Sequence, residues 1–311
     1  MKILLIHCHY RLPGGEDAVF AAERALLERR GHTVLVYERS NEEAAHGLAK
    51  ALLPLHAVWN RRAAREVCDL IRREGVEAVH IHNTLLLLSP AVVRAAKRCG
   101  VPVVQTLHNF RLFCPNGILL RDGAVCEDCP RRGLHCALRH RCYRGSLAQT
   151  LVVAASYRLH RALGSWRGVW VTTPTEFDRE KLLAFNRLRP TFDENRLVVK
   201  PNPVSVPAGP VIPWEERDRR FVFAGRLEEL KGLRTVIEAW RLLGDTAPEL
   251  LIAGDGPLAD WARAQALPRV RFLGQLERAE LHRLIGASYA VIAASLCYES
   301  FALVPAEAHA L

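Results

Sequence analysis

The sequence predicts an α/β protein of two Rossmann-like domains facing a cleft, the second of them incomplete. Three observations carry that expectation. Short apolar runs alternate with amphipathic helical stretches from Ile3 to Leu107, and the alternation restarts at Arg220. Between the two series, Pro201-Asn202-Pro203 opens a proline-rich stretch that reaches Pro213 and reads as a linker. Apolar strands separated by helices imply parallel sheets covered on both faces. The 311 residues are enough for two buried cores. At 50% hydrophobic and 24% charged residues, the chain is globular and not disordered.

In the first series Ile3–His7 is a strand, followed by the turn Pro13-Gly14-Gly15 and a helix from Glu16 to Arg30 that stops at Gly31. Thr33–Tyr37, Ala78–Ile81 and Val101–Leu107 are further strands, with helices over Ala63–Arg73 and Pro90–Arg98. Residues 110–145 break the pattern and hold five of the nine cysteines. A helix over Ser146–Leu163, a strand over Gly168–Thr172 and a helix over Glu176–Phe185 follow. The second series has strands at 221–224, 249–253, 270–273 and 289–293, with helices at 232–243, 258–265 and 277–286 between them. The domains are thus expected at 1–203, carrying a cysteine-rich insertion at 110–145, and at 204–311. Open α/β domains usually carry more strands than the second series offers, so the chain is expected to be C-terminally truncated.

The net charge of +10 favours anionic partners, whether nucleic acid, anionic lipid or a phosphorylated substrate. Met1–Ile6 is too short for a signal-peptide core and reads as strand. No run approaches the ~20 apolar residues of a spanning helix. The expected location is cytoplasmic, with peripheral contact at the inner face of a membrane left open. Cysteines there are thiols or metal ligands sooner than disulfides.

Several segments carry chemistry. Gly225-Arg226 and Lys231-Gly232 follow one strand and lead into a helix, at the sheet edge where α/β folds bind ligands. Gly225 permits close backbone approach, Arg226 can fork two phosphate oxygens, and Lys231 adds a mobile point charge. Gly254-Asp255-Gly256-Pro257 is a tight turn after another strand. Gly14 and Gly15 open the first helix and let an anion reach its N-terminus, but they form neither a GxGxxG nor a Walker motif. His108 lies just past a strand end. Glu299 precedes a helix expected to start near Phe301, and Glu307 lies inside it. Carboxylates there can accept sugar or ribose hydroxyls. Each segment alone is equally what a solvated loop, a core histidine or an acidic first turn would show; their order and spacing argue together.

That ensemble resembles the retaining glycosyltransferases of family 4 (glycosyl transferases group 1), which have the GT-B fold. The resemblance runs from Gly14-Gly15 to Glu307. It implies a nucleoside-diphosphate sugar as donor and a glycan or lipid-linked acceptor. It implies that Arg226 and Lys231 stabilise the leaving diphosphate, that Glu307 holds the ribose, and that Glu299 sits near the donor sugar beside Ser300, Phe301 and Ala302. His108 matches a histidine that contacts the donor sugar near the reacting carbon. Fixed cations make a divalent metal unnecessary for transfer. Ala294 and Ala302 depart from the proline and glycine frequent at those positions in the family.

The insertion holds Cys114, Cys126, Cys129, Cys136 and Cys142, with a CxxC knuckle at Cys126–Cys129. Four thiolates suit a structural zinc. Similar insertions in a subset of the family imply Cys114, Cys126, Cys129 and Cys142 as ligands, with Cys136, His135 and His140 as alternatives and an iron–sulfur cluster as a lesser one. Arginines flank the insertion, and Ser146–Leu163 and Leu48–Trp59 are apolar with basic neighbours, which suits either packing on the sheet or rest on an anionic membrane. Competing readings are a nucleotide-sugar epimerase, a nucleic-acid-binding module centred on the basic insertion, and a non-catalytic fragment. No interleaved aromatics support nucleic-acid stacking, so no nucleic acid is expected as a partner.

Overall fold

In the computed structural model, which describes residues 1–11, 14–44, 47–206 and 209–311 (side chains of 44 and 47–50 excepted), the alternation resolves into two units. One comprises residues 1–119 and 126–203, the other 120–125 and 204–311. Pro13 of the first turn and residues 207 and 208 of the linker lie outside the described residues.

The first unit is built on strands β1 (Lys2–His9), β2 (Thr33–Ser40), β3 (Ala78–Ile81) and β4 (Val103–Thr106). Strands β5 (Leu120–Arg121) and β6 (Ala124–Val125) form an antiparallel hairpin inside the insertion. Strands β7 (Trp170–Thr173) and β8 (Leu197–Val199) complete a six-stranded sheet of order β2-β1-β3-β4-β7-β8. Every pair in it is parallel. The chain runs from β1 outward to β2 and then returns to β3 on the other side of β1. This reversal opens a crevice at the carboxyl ends of β1 and β3. One sheet face buries Ile3 and Leu5 against Phe20 of the helix Gly15–Arg29, with Leu27, Val34 and Val36 packed around them.

The second unit holds β9 (Asp218–Ala224), β10 (Glu249–Ala253), β11 (Val270–Gly274) and β12 (Ser288–Val291) in the parallel order β11-β10-β9-β12. Here the reversal lies between β9 and β12, so the loops following those strands meet at one crevice. Side chains alternate with the pleat. Phe223, Leu250 and Ile252 pack on Val236, Ile237 and Trp240 of the helix Leu233–Leu243. Val222 and Leu251 face Ile285, Val304 and Ala308 of the helices Arg278–Gly286 and Leu303–Ala310.

The structure differs from the sequence reading at several elements: β1 runs on to His9, β4 is shorter than Val101–Leu107, β9 starts at Asp218, and the helix expected at 258–265 spans Ala259–Arg263. β2 runs three residues further than Tyr37, to Ser40. β8 was not anticipated, because a three-residue strand carries too little periodicity to stand out. The insertion contains the β5–β6 hairpin and two short helices, Asp128–Arg132 and His135–His140. The last helix begins at Leu303, after Ala302 as its cap, and not near Phe301. The helix Leu147–Ala162 buries Val153, Ala154 and Tyr157 while Leu147 and Leu151 stay exposed, as does Leu55 of the helix Gly47–Val58. No helix among the described residues is long and apolar enough to cross a membrane.

Close approach requires glycine at three positions, Gly232, Gly254 and Gly256. A Cβ on Gly254 (φ +139°) would lie 1.9 Å from the Gly225 carbonyl oxygen, and one on Gly232 (φ +73°) 1.9 Å from that of Ala294. Gly254→Ala should therefore lower stability by at least ~2 kcal/mol, from positive φ plus displaced backbone, whereas Gly244→Ala, with open space around it, should cost about 1 kcal/mol. Urea midpoints of the two variants would check this, and equal losses would contradict it.

Candidate functional site

In the second unit the loop after β9 and the turn after β10 are laced by main-chain bonds. Gly225 N–H donates to Ala253 O at 3.0 Å, Leu227 N–H to Asp255 O at 2.9 Å and Leu258 N–H to Leu227 O at 2.9 Å. This stitching needs Gly254 and Gly256, whose missing side chains leave room for the facing loop. Beyond Gly225 nothing lies within 4 Å of where a Cβ would stand. Arg226 beside it is half exposed and lies 3.5 Å from Glu228.

Lys231 sits in the short turn Glu229–Lys231, and the loop after β12 reaches it through Leu296 N–H, which donates to Leu230 O at 2.8 Å. The Lys231 ammonium donates to both Glu299 oxygens, at 2.8 and 3.0 Å, and the Ser295 hydroxyl donates to Oε2 of the same carboxylate at 2.6 Å. Burial alone would raise the Glu299 carboxyl, but the bonds from Lys231 and Ser295 outweigh it and hold it below its ordinary value. Ser300, Phe301 and Ala302 follow, partly buried, ahead of the final helix. Glu307 is buried; its Oε1 accepts from Arg278 Nη2 at 2.8 Å, and His282 Nε2 lies 3.3 Å away. The structure thus brings Lys231 and Glu299 into contact and pairs Glu307 with Arg278, a residue the sequence reading did not single out.

In the first unit the residues around the β1/β3 crevice form a second cluster. Gly14 caps the helix Gly15–Arg29, and its N–H donates to Asp17 Oδ2 at 2.8 Å, so one of the donors expected for an anion is taken within the helix. His108 is partly buried, with Nε2 3.0 Å from Nδ1 of fully buried His82. Glu23 anchors what lies beneath. Its Oε1 faces His80 Nδ1 at 3.0 Å and its Oε2 accepts from Lys200 Nζ at 2.9 Å. Burial would raise the Glu23 carboxyl, but His80 and Lys200 dominate and hold it at about 2. His80 Nε2 bonds Thr106 Oγ1 at 2.8 Å, which in turn bonds Thr172 Oγ1 at 2.8 Å. His82 and His108 line a cavity of about 30 Å³ together with Glu16, Asn109, Arg111 and Tyr157, room for about one water.

The sequence reading found His108 but missed His7, His9, His80, His82 and Glu23. The signal was present. His7-Cys-His9, His80-Ile-His82 and Thr106-Leu-His108 share a spacing of two at the ends of three adjacent parallel strands. A spacing of two points both side chains to one face.

Among the described residues, two clusters pack metal-ligand types of atom within 4.8 Å of one another, His7–His9–Asp17 and Glu23–His80–His82. Neither is free for a cation. His7 Nδ1 accepts from the Asn83 N–H at 3.4 Å, so Nε2 carries the proton and donates to Asp17 Oδ1 at 2.9 Å. In the second cluster the Lys200 ammonium already supplies the positive charge beside Glu23. In the insertion, Cys114 and buried Cys129 share a hydrogen bond, which lowers the Cys114 thiol to about 7 and raises that of Cys129. Cys142 lies near enough to Cys129 to act on it electrostatically.

Comparison with known proteins gives the context. Residues 14–203 match the glycosyl transferase 4-like domain and residues 218–311 match glycosyl transferases group 1. No curated protein matches the chain in sequence. HepE from Anabaena, solved in complex with UDP, is 16% identical at a TM-score of 0.54, covering 99% of this chain and 78% of its own. WaaG, described as a glycosyltransferase involved in lipopolysaccharide biosynthesis, is 18% identical at a TM-score of 0.55, covering 98% and 78%. The lipopolysaccharide outer core galactosyltransferase WaaB, in its apo form, is 14% identical at a TM-score of 0.51, covering 95% and 74%. At such identities the likeness is one of fold, the GT-B arrangement of parallel α/β units.

The buried Glu23 carboxylate makes stability depend on pH. Its displacement from the ordinary 4.5 to about 2 corresponds to ~3 kcal/mol. Because the folded value is the lower one, that contribution is complete above 4.5 and is lost as pH falls towards about 2. Glu23→Gln should lower stability at neutral pH and flatten the acid slope in that window. Denaturant midpoints from pH 7 to pH 2 measure both, and an unchanged slope would contradict the assignment.

Proposed function

The chain belongs to the glycosyl transferase 4-like family, and from that premise we propose that it moves a sugar from a nucleoside-diphosphate sugar to a glycan or lipid-linked acceptor. The observation that carries this reading is the Lys231 ammonium, held by both oxygens of Glu299 where the loops after β9 and β12 meet, the loop after β9 also carrying Gly225 with open space where its Cβ would stand. An ammonium already restrained loses little freedom on meeting a phosphate. Lys231 has a third donor to offer, and Arg226 can fork across neighbouring oxygens.

In this reading the diphosphate leaves against fixed positive charge, so the developing negative charge is stabilised without a divalent metal. Glu299 accepts a sugar hydroxyl on the side turned from Lys231, beside the main chain of Ser300, Phe301 and Ala302. Gly254 and Gly256 keep the neighbouring turn close enough for main-chain contact with the nucleotide. Glu307 holds the ribose diol with the oxygen that Arg278 leaves free. Gly14 and Gly15, and His108 in the first unit, contact substrate there, His108 through a sugar hydroxyl. Retention of configuration, by same-face attack through an oxocarbenium-like state, follows the family resemblance. The UDP complex of HepE and the lipopolysaccharide role given for WaaG support this choice of donor class and of a cell-envelope acceptor.

Zinc is proposed for the insertion, held by Cys114, Cys126, Cys129 and Cys142. The contact between Cys114 and Cys129, with Cys142 nearby, suits a soft cation. Its task would be to clip a segment with little core of its own.

Titration of the purified chain with UDP, GDP, ADP and their sugar conjugates should reveal saturable binding of one nucleotide family. Lys231→Ala should weaken that binding by ~10-fold or more, the loss of a charged hydrogen bond, and a chelator should leave it unchanged. Binding indifferent to Lys231→Ala would sink the donor site. Elemental analysis should find zinc bound to the intact chain, depleted in Cys129→Ser with faster proteolysis within 110–145; a metal-free chain that resists proteolysis equally would remove zinc from the account.

A further inference from the structure

His82 has two ring nitrogens in two unlike settings. Nδ1 lies 3.0 Å from His108 Nε2, whereas Nε2 is buried without a hydrogen-bond partner, and its nearest charged neighbour is Glu23 Oε2 at 3.8 Å. Between these two imidazoles one hydrogen must be shared, and its owner decides what His108 offers to a ligand.

The groups facing the pair are His7, His80, Glu16, Glu23 and Lys200, with Arg111 and Tyr157 lining the same cavity and Phe20 edge-on to His82 at 5.3 Å. Burial comes first among the influences and lowers both imidazoles, so both are neutral near pH 7. A neutral His82 has one N–H. Were it on Nδ1, the buried Nε2 lone pair would point towards an ionised carboxylate 3.8 Å away, which is repulsive. With the proton on Nε2, the N–H dipole points at Glu23 and the Nδ1 lone pair faces His108. His108 must then supply the hydrogen from its own Nε2.

We infer that Glu23, acting through His82, fixes His108 as its Nε2–H tautomer and leaves His108 Nδ1 as a hydrogen-bond acceptor for a hydroxyl of the substrate sugar. Among the described residues no hydrogen bond to that nitrogen is seen, and its side chain lines the cavity. The acceptor selects by chemistry. Taken as the group that meets it, the C6 hydroxyl of a hexose can donate to this nitrogen, while the carboxylate that replaces it in a uronic acid brings a second lone pair and is rejected. Glu23 and His82 are positioning residues; they act through His108 and do not touch substrate. The ligand class rests on the proposed glycosyltransferase reading, but the tautomer does not.

The test is nitrogen NMR on the full chain carrying ¹⁵N-histidine at pH 7.5, with His108→Asn and His82→Asn to assign the signals. The expected spectrum has His82 and His108 each protonated on Nε2 and bare on Nδ1. Glu23→Gln should move both rings towards tautomer mixtures, and Glu23→Asp should largely restore them. A wild-type His108 protonated on Nδ1 overturns the inference, and the wild-type spectrum, assigned with the two histidine variants, suffices should the Glu23 variants unfold. UDP-glucose against UDP-glucuronate, or GDP-mannose against GDP-mannuronate if guanine is the base that binds, then tests the ligand class. The neutral sugar should bind at least ~10-fold more tightly, a difference of about 1.4 kcal/mol, and shift the His108 Nδ1 signal. Equal affinity for the uronate overturns the selection. Failure of every conjugate to bind overturns the donor reading and the ligand class together, while the spectrum still judges the tautomer.

Discussion

Parallel pairing in register is the constraint on which both clusters depend. Parallel strands all end at the same edge of their sheet, and where the strand order reverses, neighbouring loops part and leave a crevice. In the first unit β1 pairs with β2 on one side and β3 on the other, which carries His7 and His9 to the same edge as His82. The β4–β7 register sets Thr106 opposite Thr172, so the chain of bonds from Glu23 through His80 ends on two threonines and not on an unpaired donor. In the second unit the same topology sets the loop carrying Lys231 against the loop carrying Glu299. A slip of one residue in either sheet would turn these side chains to the opposite face.

The two clusters place charge differently. Glu23 is almost fully buried, and an unpaired carboxylate there would be very costly, so its surroundings are saturated by His80, Lys200 and the nearby edge of His82. Such a charge is a fixed source of field that acts on the imidazoles above it. The Lys231–Glu299 pair is about a third exposed on each side, at 32% and 29%, so solvent screens it and its groups remain open to exchange with a ligand. A buried charge suits orientation of a neighbour; a partly exposed pair suits a cation meant to meet an anionic guest. Glu307 falls nearer the first kind, buried and held by Arg278.

The sequence by itself determined the two α/β units, the proline-rich stretch between them and the glycine-flanked cations, because each rests on local rules: periodicity, proline geometry and the absence of a Cβ. It singled out His108 by its place just past a strand end and Lys231 and Glu299 by the order and spacing of their segments, and it marked the cysteine-rich insertion by composition. It did not determine that Lys231 and Glu299 touch, for they stand 68 residues apart and only the β9–β12 pairing joins them. It left Glu23 looking like an ordinary polar position of an amphipathic helix, whereas packing of that helix on the sheet sets the carboxylate between His80 and Lys200, the latter 177 residues away. The short strand β8 was decided the same way, by an existing sheet edge offering hydrogen bonds to Leu197-Val198-Val199, residues that suit a strand but form a run too short to stand out by itself. Local propensity acts within a few residues. Burial of charge, tautomer and ion pairing depend on what lies across a sheet, and that only the tertiary structure decided.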